Sequence, residues 1–149
     1  MCKVEILGGP NLGRLGRREP AIYGSMTWSE LEACCARWAG ELNFELAFRQ
    51  SDAEGELVGM IHHAGDHADG LVLNAAAYTH TSVAVRDAVA ALEIPVIELH
   101  LTNPAAREPF RRQNLLSDLV TAAVCGFGSE GYRLALLGMA ELLKTGAKG

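Results

Sequence analysis

Apolar residues gather in five short runs along the chain, at 3–7, 45–49, 70–73, 95–98 and 119–125, and each run has the length and composition of a strand. Between the runs, apolar positions return every three or four residues, which is the spacing of a helix with one buried face. Strands that alternate with helices need helices over both faces of a parallel sheet. The pattern therefore predicts an α/β fold with a five-stranded parallel sheet in the middle layer.

Thr27-Trp28-Ser29-Glu30 has the form of a capping box, so the first long helix starts there. Leu31, Cys35, Trp38 and Leu42 then share one face, which assigns Cys35 and Trp38 to the core. A second helix is predicted over 53–65, with Ser51 or Asp52 as N-cap and Leu57, Ile61 and Ala64 as its buried stripe. A third spans 81–92. The last spans 130–143, with Tyr132, Leu136 and Met139 or Ala140 inward, and the tail from 144 onward is expected to fray. No internal repeat or linker interrupts the series, so 1–149 reads as a single domain.

Two connections exceed the usual length of about 2 to 6 residues. The segment 8–26 carries Gly8, Gly9, Gly13, Gly16 and Gly24 and reads as a lid, while 100–118 is rich in arginine and polar groups. Both follow strands, as does the shorter 74–80. In open α/β sheets ligands bind outside the carboxyl ends of the strands, so these three segments are where a site is expected.

Composition narrows the function without naming it. A chain of 149 residues, 49% hydrophobic and 21% charged, buries enough surface to fold without disulfides or a structural metal. A formal charge of −5 argues against a general nucleic-acid or anionic-membrane binder, so any anion site must be local. No stretch approaches the about 20 apolar residues of a membrane span, and the opening run is too short for a signal peptide. Cys2, Cys34, Cys35 and Cys125 form no CxxC and no zinc-ligand spacing, which reads as reduced thiols in a cytoplasmic protein.

The polar groups at the three strand ends are Asn11, Arg14, Arg17, Arg18 and Tyr23, then Asn74, Tyr78 and His80, then His100, Thr102, Asn103, Arg107, Arg111 and Arg112. They favour acid–base chemistry. There is no GxSxG elbow, and the lysines, Lys3, Lys144 and Lys148, lie far from these ends, so covalent catalysis is disfavoured. Tyr23 follows Arg17 and Arg18, and a nearby guanidinium favours a phenolate base, although the same residue also reads as a packing tyrosine. His80 and His100 are candidates for proton transfer or for structural hydrogen bonding; Glu98, on the same strand face as His100, can hold its ring and favour the protonated form. His63 and His67 at i, i+4 lack a third ligand and read as a solvated helix end rather than a metal site. Gly8-Gly9-Pro10-Asn11-Leu12-Gly13 matches neither phosphate-loop pattern, and Arg107, Arg111 and Arg112 are either an anion clamp or surface charge paired across an oligomer interface.

These residues bring a family into view. Gly9-Pro10-Asn11-Leu12, Gly16-Arg17-Arg18-Glu19-Pro20 through Tyr23-Gly24, Arg49-Gln50-Ser51, Tyr78-Thr79-His80-Thr81-Ser82-Val83-Ala84 with Arg86-Asp87, Glu98 with His100 and Asn103, Arg107-Glu108 with Phe110-Arg111, and Gly126, Gly128, Gly131 and Tyr132 together resemble the type II 3-dehydroquinate dehydratases over nearly the whole chain. The resemblance implies a flavodoxin-like three-layer sandwich, no cofactor and no metal. It also implies a homo-oligomer, usually a dodecamer of trimers, and the conversion of 3-dehydroquinate to 3-dehydroshikimate in shikimate-pathway biosynthesis or quinate breakdown.

Carried over residue by residue, the resemblance makes Tyr23, beside Arg18, the base that removes the C2 proton. Asn11 acts through a water on the enolate, and His100, backed by Glu98, protonates the departing C1 hydroxyl. The main-chain N–H groups of Leu101 and Thr102 with the Thr102 hydroxyl hold the carboxylate, Asn74, His80 and Arg111 bind the ring hydroxyls, and Asp87 reaches a neighbouring subunit's site. The chain departs from the pattern at Gly8, Ala75-Ala76, Thr102, Pro104-Ala105 and Gln113-Asn114. Ala76 stands where a glycine permits a left-handed turn or close approach to the ligand, both of which an alanine resists. Two other readings stay open at this level: a diverged paralogue that binds a related cyclic carboxylate with little or no turnover, and a flavodoxin-like redox or receiver module, the latter without the acidic pocket expected of it.

Overall fold

The computed structural model describes residues 1–17 and 19–146. Strands form at each apolar run: β1 (Cys2–Gly8), β2 (Phe44–Gln50), β3 (Gly70–Asn74), β4 (Val96–His100) and β5 (Ala122–Cys125). They pair in parallel in the order β2-β1-β3-β4-β5. The helices between them are α1 (Pro20–Tyr23), α2 (Trp28–Glu41), α3 (Glu54–His67), α4 (Tyr78–Thr81), α5 (Val83–Ala90) and α6 (Glu130–Thr145). This is the expected α/β sandwich with the flavodoxin-like strand order.

The two-residue period of the strands sorts the core into halves. Val4, Ile6, Val72, Ile97 and Leu99 face α2 and α6, where Leu31, Cys35, Ala39, Tyr132 and Leu136 meet them. Leu7, Leu71, Leu73 and Val96 face α3 and α5, against Leu57, Ile61, Ala64, Val85 and Val89. β3 and β4 are buried along their whole length, as a parallel strand covered on both faces must be. Each fully buried Leu or Ile contributes about 1.5–3 kcal/mol. The Cys35 thiol, deep in this layer, is pushed up to about 12 by burial, with Cys34 and Glu32 adding to the shift.

Several local expectations are corrected. The segment 81–92 is not one helix: Ser82 breaks it, with extended backbone, its Oγ accepting from Val85 N at 2.9 Å and donating to Glu54 Oε2 at 2.5 Å. A serine offered two such partners competes with helix continuation. Neither Ser51 nor Asp52 caps α3. Ala53 takes that position, Ser51 Oγ accepting from Ala53 N at 3.0 Å while the Asp52 carboxylate turns to Asn11. The fifth strand is shorter than its apolar run because 119–120 is tied into a turn by Leu119 N and Val120 N on Leu116 O. Trp38 is half-buried at the rim of the core, with the Arg37 guanidinium 5.8 Å from its ring, and Ala39 takes the deeper place. At the other end α6 runs on to Thr145 and closes on Gly146 at φ +72°, so the expected fraying does not start at 144; residues 147–149 of that tail lie outside the described residues.

His63 is not a solvated helix end either. Its Nδ1 lies 3.1 Å from Glu5 Oε1, a carboxylate in mid-strand β1 that is fully buried, with Arg49 Nη2 3.8 Å from the same oxygen. His67 stacks on His63 at 4.1 Å and donates from Nδ1 to the His63 carbonyl. Among the described residues no group of three or more His, Cys, Asp or Glu is placed to hold a metal. Glu5 Oε2 has no hydrogen-bond partner among the described residues, and Arg49 and His63, the two groups facing Glu5, are both more than a third exposed, so attraction from that side is screened. Replacement of such a buried carboxylate by an apolar side chain of similar volume is often neutral or stabilising. Glu5→Met, similar in length, is expected to raise Tm by about 2–4 °C, roughly 1 kcal/mol, as read by thermal unfolding; a fall in Tm means that the ion cluster is net stabilising.

Candidate active site

The strand order reverses between β1 and β3, and at such a switch point the connections leave in opposite directions and open a crevice. The residues after β1, β3 and β4 converge there on one open cleft of about 560 Å³, its solvent mouth included.

After β1 the chain passes very close to the β3 connection. Gly9 N donates to Asn74 O at 2.8 Å, and a Cβ on Gly9 would stand 2.4 Å from Ala75 O, so only glycine fits there. The departure at Gly8 has its own packing reason: a Cβ there would come within 2.7 Å of the Trp28 ring. Asn11 then takes a left-handed turn at φ +71°, a conformation asparagine tolerates better than most residues. Its N–H donates to Asp52 Oδ1 at 2.9 Å, and Gln50 Nε2 ties that oxygen and the Gly9 carbonyl together. The Asn11 N–H, then the Gln50 amide, hold the Asp52 carboxyl below its ordinary range. Among the described residues of 8–26, Leu12 and Leu15 are buried in the core and α1 presents Tyr23 to the cleft, so these parts are no detached flap.

After β3, the Asn74 side chain is held at both ends: Oδ1 accepts from Ala76 N at 3.1 Å and Nδ2 donates to Tyr132 Oη at 3.3 Å. The Tyr132 hydroxyl is pushed well above its usual range by complete burial. Ala76 does adopt the left-handed turn that its side chain resists, at φ +52°. That strain predicts a gain from Ala76→Gly: relief of about 1–2 kcal/mol, less the glycine's extra unfolded-state entropy, leaves Tm higher by about 1–4 °C. An unchanged or lower Tm in thermal unfolding counts against strain at this turn.

His80 and His100 lie at the floor of the cleft, with ring centroids 6.4 Å apart. His80 Nδ1–H donates to the Gln113 carbonyl at 2.7 Å, which leaves Nε2 as its other ring nitrogen. His100 Nε2–H donates to Glu98 Oε2 at 2.7 Å, so Nδ1 is the nitrogen left for a ligand. Glu98 itself is 1% exposed and stands behind His100 rather than in the cleft wall. Arg107 places its guanidinium 5.2 Å from the Tyr23 ring centroid and donates from Nη1 to Thr102 Oγ1 at 3.3 Å. Arg111 pairs with Glu108, whose carboxyl is held below its usual range chiefly by that bond.

Asn11, Tyr23, Asn74, His80, His100, Leu101, Thr102 and Arg111 thus line one cleft. Asp87 does not join them; it is exposed on α5. Arg18 lies outside the described residues. Of the other polar groups singled out, Tyr78 donates from Oη to Asp52 O at 2.7 Å, Asn103 caps the turn Pro104–Ala106 and Arg112 Nε donates to Ala105 O, all outside the cleft wall. Sequence reasoning had Arg107 only as one of an arginine cluster. Its partnership with Tyr23 has no local signature.

The arrangement is a phenol and two imidazoles at one cleft, with two arginines, Arg107 and Arg111, in the wall of an otherwise acidic protein. Such a site suits a small anion that must lose one proton and gain another. Comparison with known proteins agrees. The family model described as Dehydroquinase class II matches residues 2–140. A 3-dehydroquinate dehydratase of Salinispora arenicola is 51% identical over 138 residues, covering 93% of this chain and 96% of that protein. One of Jannaschia sp. is 46% identical over 144 residues, covering 97% of each. The crystal structure of the type II dehydroquinase from Propionibacterium acnes superposes with a TM-score of 0.92 at 43% identity, covering 95% of this chain and 97% of that one. Sequence, fold and cleft lead to one conclusion, that this chain belongs to the class II dehydroquinase family.

Proposed function

We propose that the cleft dehydrates 3-dehydroquinate to 3-dehydroshikimate by an anti elimination, with Tyr23 as base and His100 as acid. The activity is that for which the relatives are named, and the chain is a hydro-lyase. The observation that carries the assignment of roles is the pairing of His100 with buried Glu98 in the same cleft as Tyr23 under Arg107.

Tyr23, as the phenolate, takes the C2 proton beside the C3 ketone, and the electron pair passes into the enolate. Arg107 places its guanidinium over the ring, and the family resemblance assigns Arg18 to the support of the base. Asn11, through a water, stabilises the enolate oxygen. Collapse of the enolate expels the C1 hydroxyl, which leaves as water with the Nδ1 proton of the doubly protonated His100 ring, whose Nε2–H stays on Glu98 Oε2. Leu101 and Thr102 hold the carboxylate, and Asn74, His80 and Arg111 the ring hydroxyls. The chain acts as one domain without a cofactor. It assembles in trimers, four to a dodecamer, which bring Asp87 to a neighbour's cleft, and it works in the cytoplasm in aromatic biosynthesis or quinate breakdown.

The test is a time course of enone ultraviolet absorbance after 3-dehydroquinate is mixed with the purified protein, alongside sedimentation. A rising trace from a sedimenting oligomer supports the reading. A flat trace with demonstrable substrate binding overturns the turnover, and a catalytically competent monomer overturns the shared site.

A further inference from the structure

One short stretch of chain, 113–118, holds both cleft histidines from behind. The Gln113 carbonyl fixes His80, and Asn114 Nδ2 donates at 2.8 Å to Glu98 Oε2, the oxygen that also accepts His100 Nε2–H. The Asn114 amide cannot be turned over. Its Oδ1 accepts from Leu116 N at 2.7 Å and Ser117 N at 2.9 Å, and two N–H donors require oxygen on that side, so the NH₂ must face Glu98. The stretch is itself pinned: Leu115 N donates to Thr79 O at 2.9 Å, and Arg86 Nη1 donates to Leu115 O at 2.7 Å while the same guanidinium clasps Asp118.

This matters because the terminal torsion of a glutamate is broad and does not hold the carboxylate plane by itself. Glu98 is buried, and the groups facing it are His100 on its own strand, Asn114 and, from β5, the Cys125 thiol, which burial and then the Glu98 charge push up. His80 lies beyond His100. Of these, Asn114 alone is anchored to main chain on its far side by two hydrogen bonds. We propose that Asn114 is a positioning residue for the acid step: it locks the Glu98 carboxylate and, through it, the His100 ring against the leaving hydroxyl. The proposal rests on the assignment of His100 as the acid. Displacement of a catalytic group by about 1 Å costs about a hundredfold in rate, which sets the scale of the effect.

Asn114→Asp keeps the oxygen that caps Leu116 and Ser117 and replaces the NH₂ facing Glu98 with a second carboxylate oxygen. The expected result is a fall in kcat of about 10- to 100-fold, with KM within about threefold and sedimentation unchanged. The decisive readout is a double-mutant cycle: on a Glu98→Gln background, Asn114→Asp costs no further kcat, because its target is gone. Losses that add independently overturn the proposal, since Asn114 then acts by another route, as does wild-type kcat in Asn114→Asp. If that variant does not fold, the same cycle with Asn114→Ala decides. His100→Ala separates the two claims. Wild-type kcat in His100→Ala removes the acid assignment and the proposal with it, whereas loss there with none in Asn114→Asp overturns only the role of Asn114.

Discussion

Tyr23→Phe is expected to lower kcat by about 10²–10⁴-fold while KM stays within about threefold. The substitution removes one hydroxyl and leaves the ring. That ring packs against the partly buried edge of the core and lies under the Arg107 guanidinium at 5.2 Å, and both contacts survive in phenylalanine. Tm should therefore move by less than about 2 °C, since surface-proximal changes without lost packing cost little. Steady-state enone absorbance gives kcat and KM, and calorimetric titration with a substrate analogue gives the affinity. Loss of kcat with retained affinity is the signature of a group used only in the transition state. A variant that turns over at the wild-type rate makes Tyr23 a packing residue, the other reading its sequence context allowed.

The parts of the site that were legible in the sequence share a physical reason: strand ends can be located from apolar runs, and ligands gather at strand ends in this architecture. Asn74, His80, His100 and Thr102 were found in that way. The Glu98–His100 pair was legible because residues two apart on a strand share a face, and they meet at 2.7 Å. What was not legible depends on partners distant in the chain. Ser82 breaks the third helix through Glu54, the Asp52 carboxylate is diverted from capping by Asn11, and the His63 ring turns to Glu5 on β1. Each outcome was set by a hydrogen bond that no local pattern encodes. Ala76 is the reverse case: an expected backbone conflict is present, and the Asn74 amide supports the strained turn at 3.1 Å. Arg107 over Tyr23 and Asn114 behind Glu98 belong to the same distant class.

His100→Ala is expected to lose the acid step, with kcat down by about 10²–10⁴-fold, and to sediment as the unsubstituted protein does. Unlike the Tyr23 substitution it should also cost stability. His100 is 7% exposed and Glu98 1%, so deletion of the imidazole leaves a buried carboxylate with Asn114 as its remaining partner. Breaking a buried pair by removal of one partner costs about 3–5 kcal/mol, most of it from the charge left behind. That origin gives the check. Adding Glu98→Gln to His100→Ala removes the stranded charge, and Tm should recover most of its fall while kcat stays at the single variant's level. Recovery of Tm without recovery of rate separates the charge balance of the core from the chemistry of the cleft, and assigns the rate loss to the missing proton donor. If both recover together, the rate loss came from a distorted fold. Unchanged kcat in His100→Ala moves the acid role to His80, whose Gln113-bound ring faces the same cleft, or to a water.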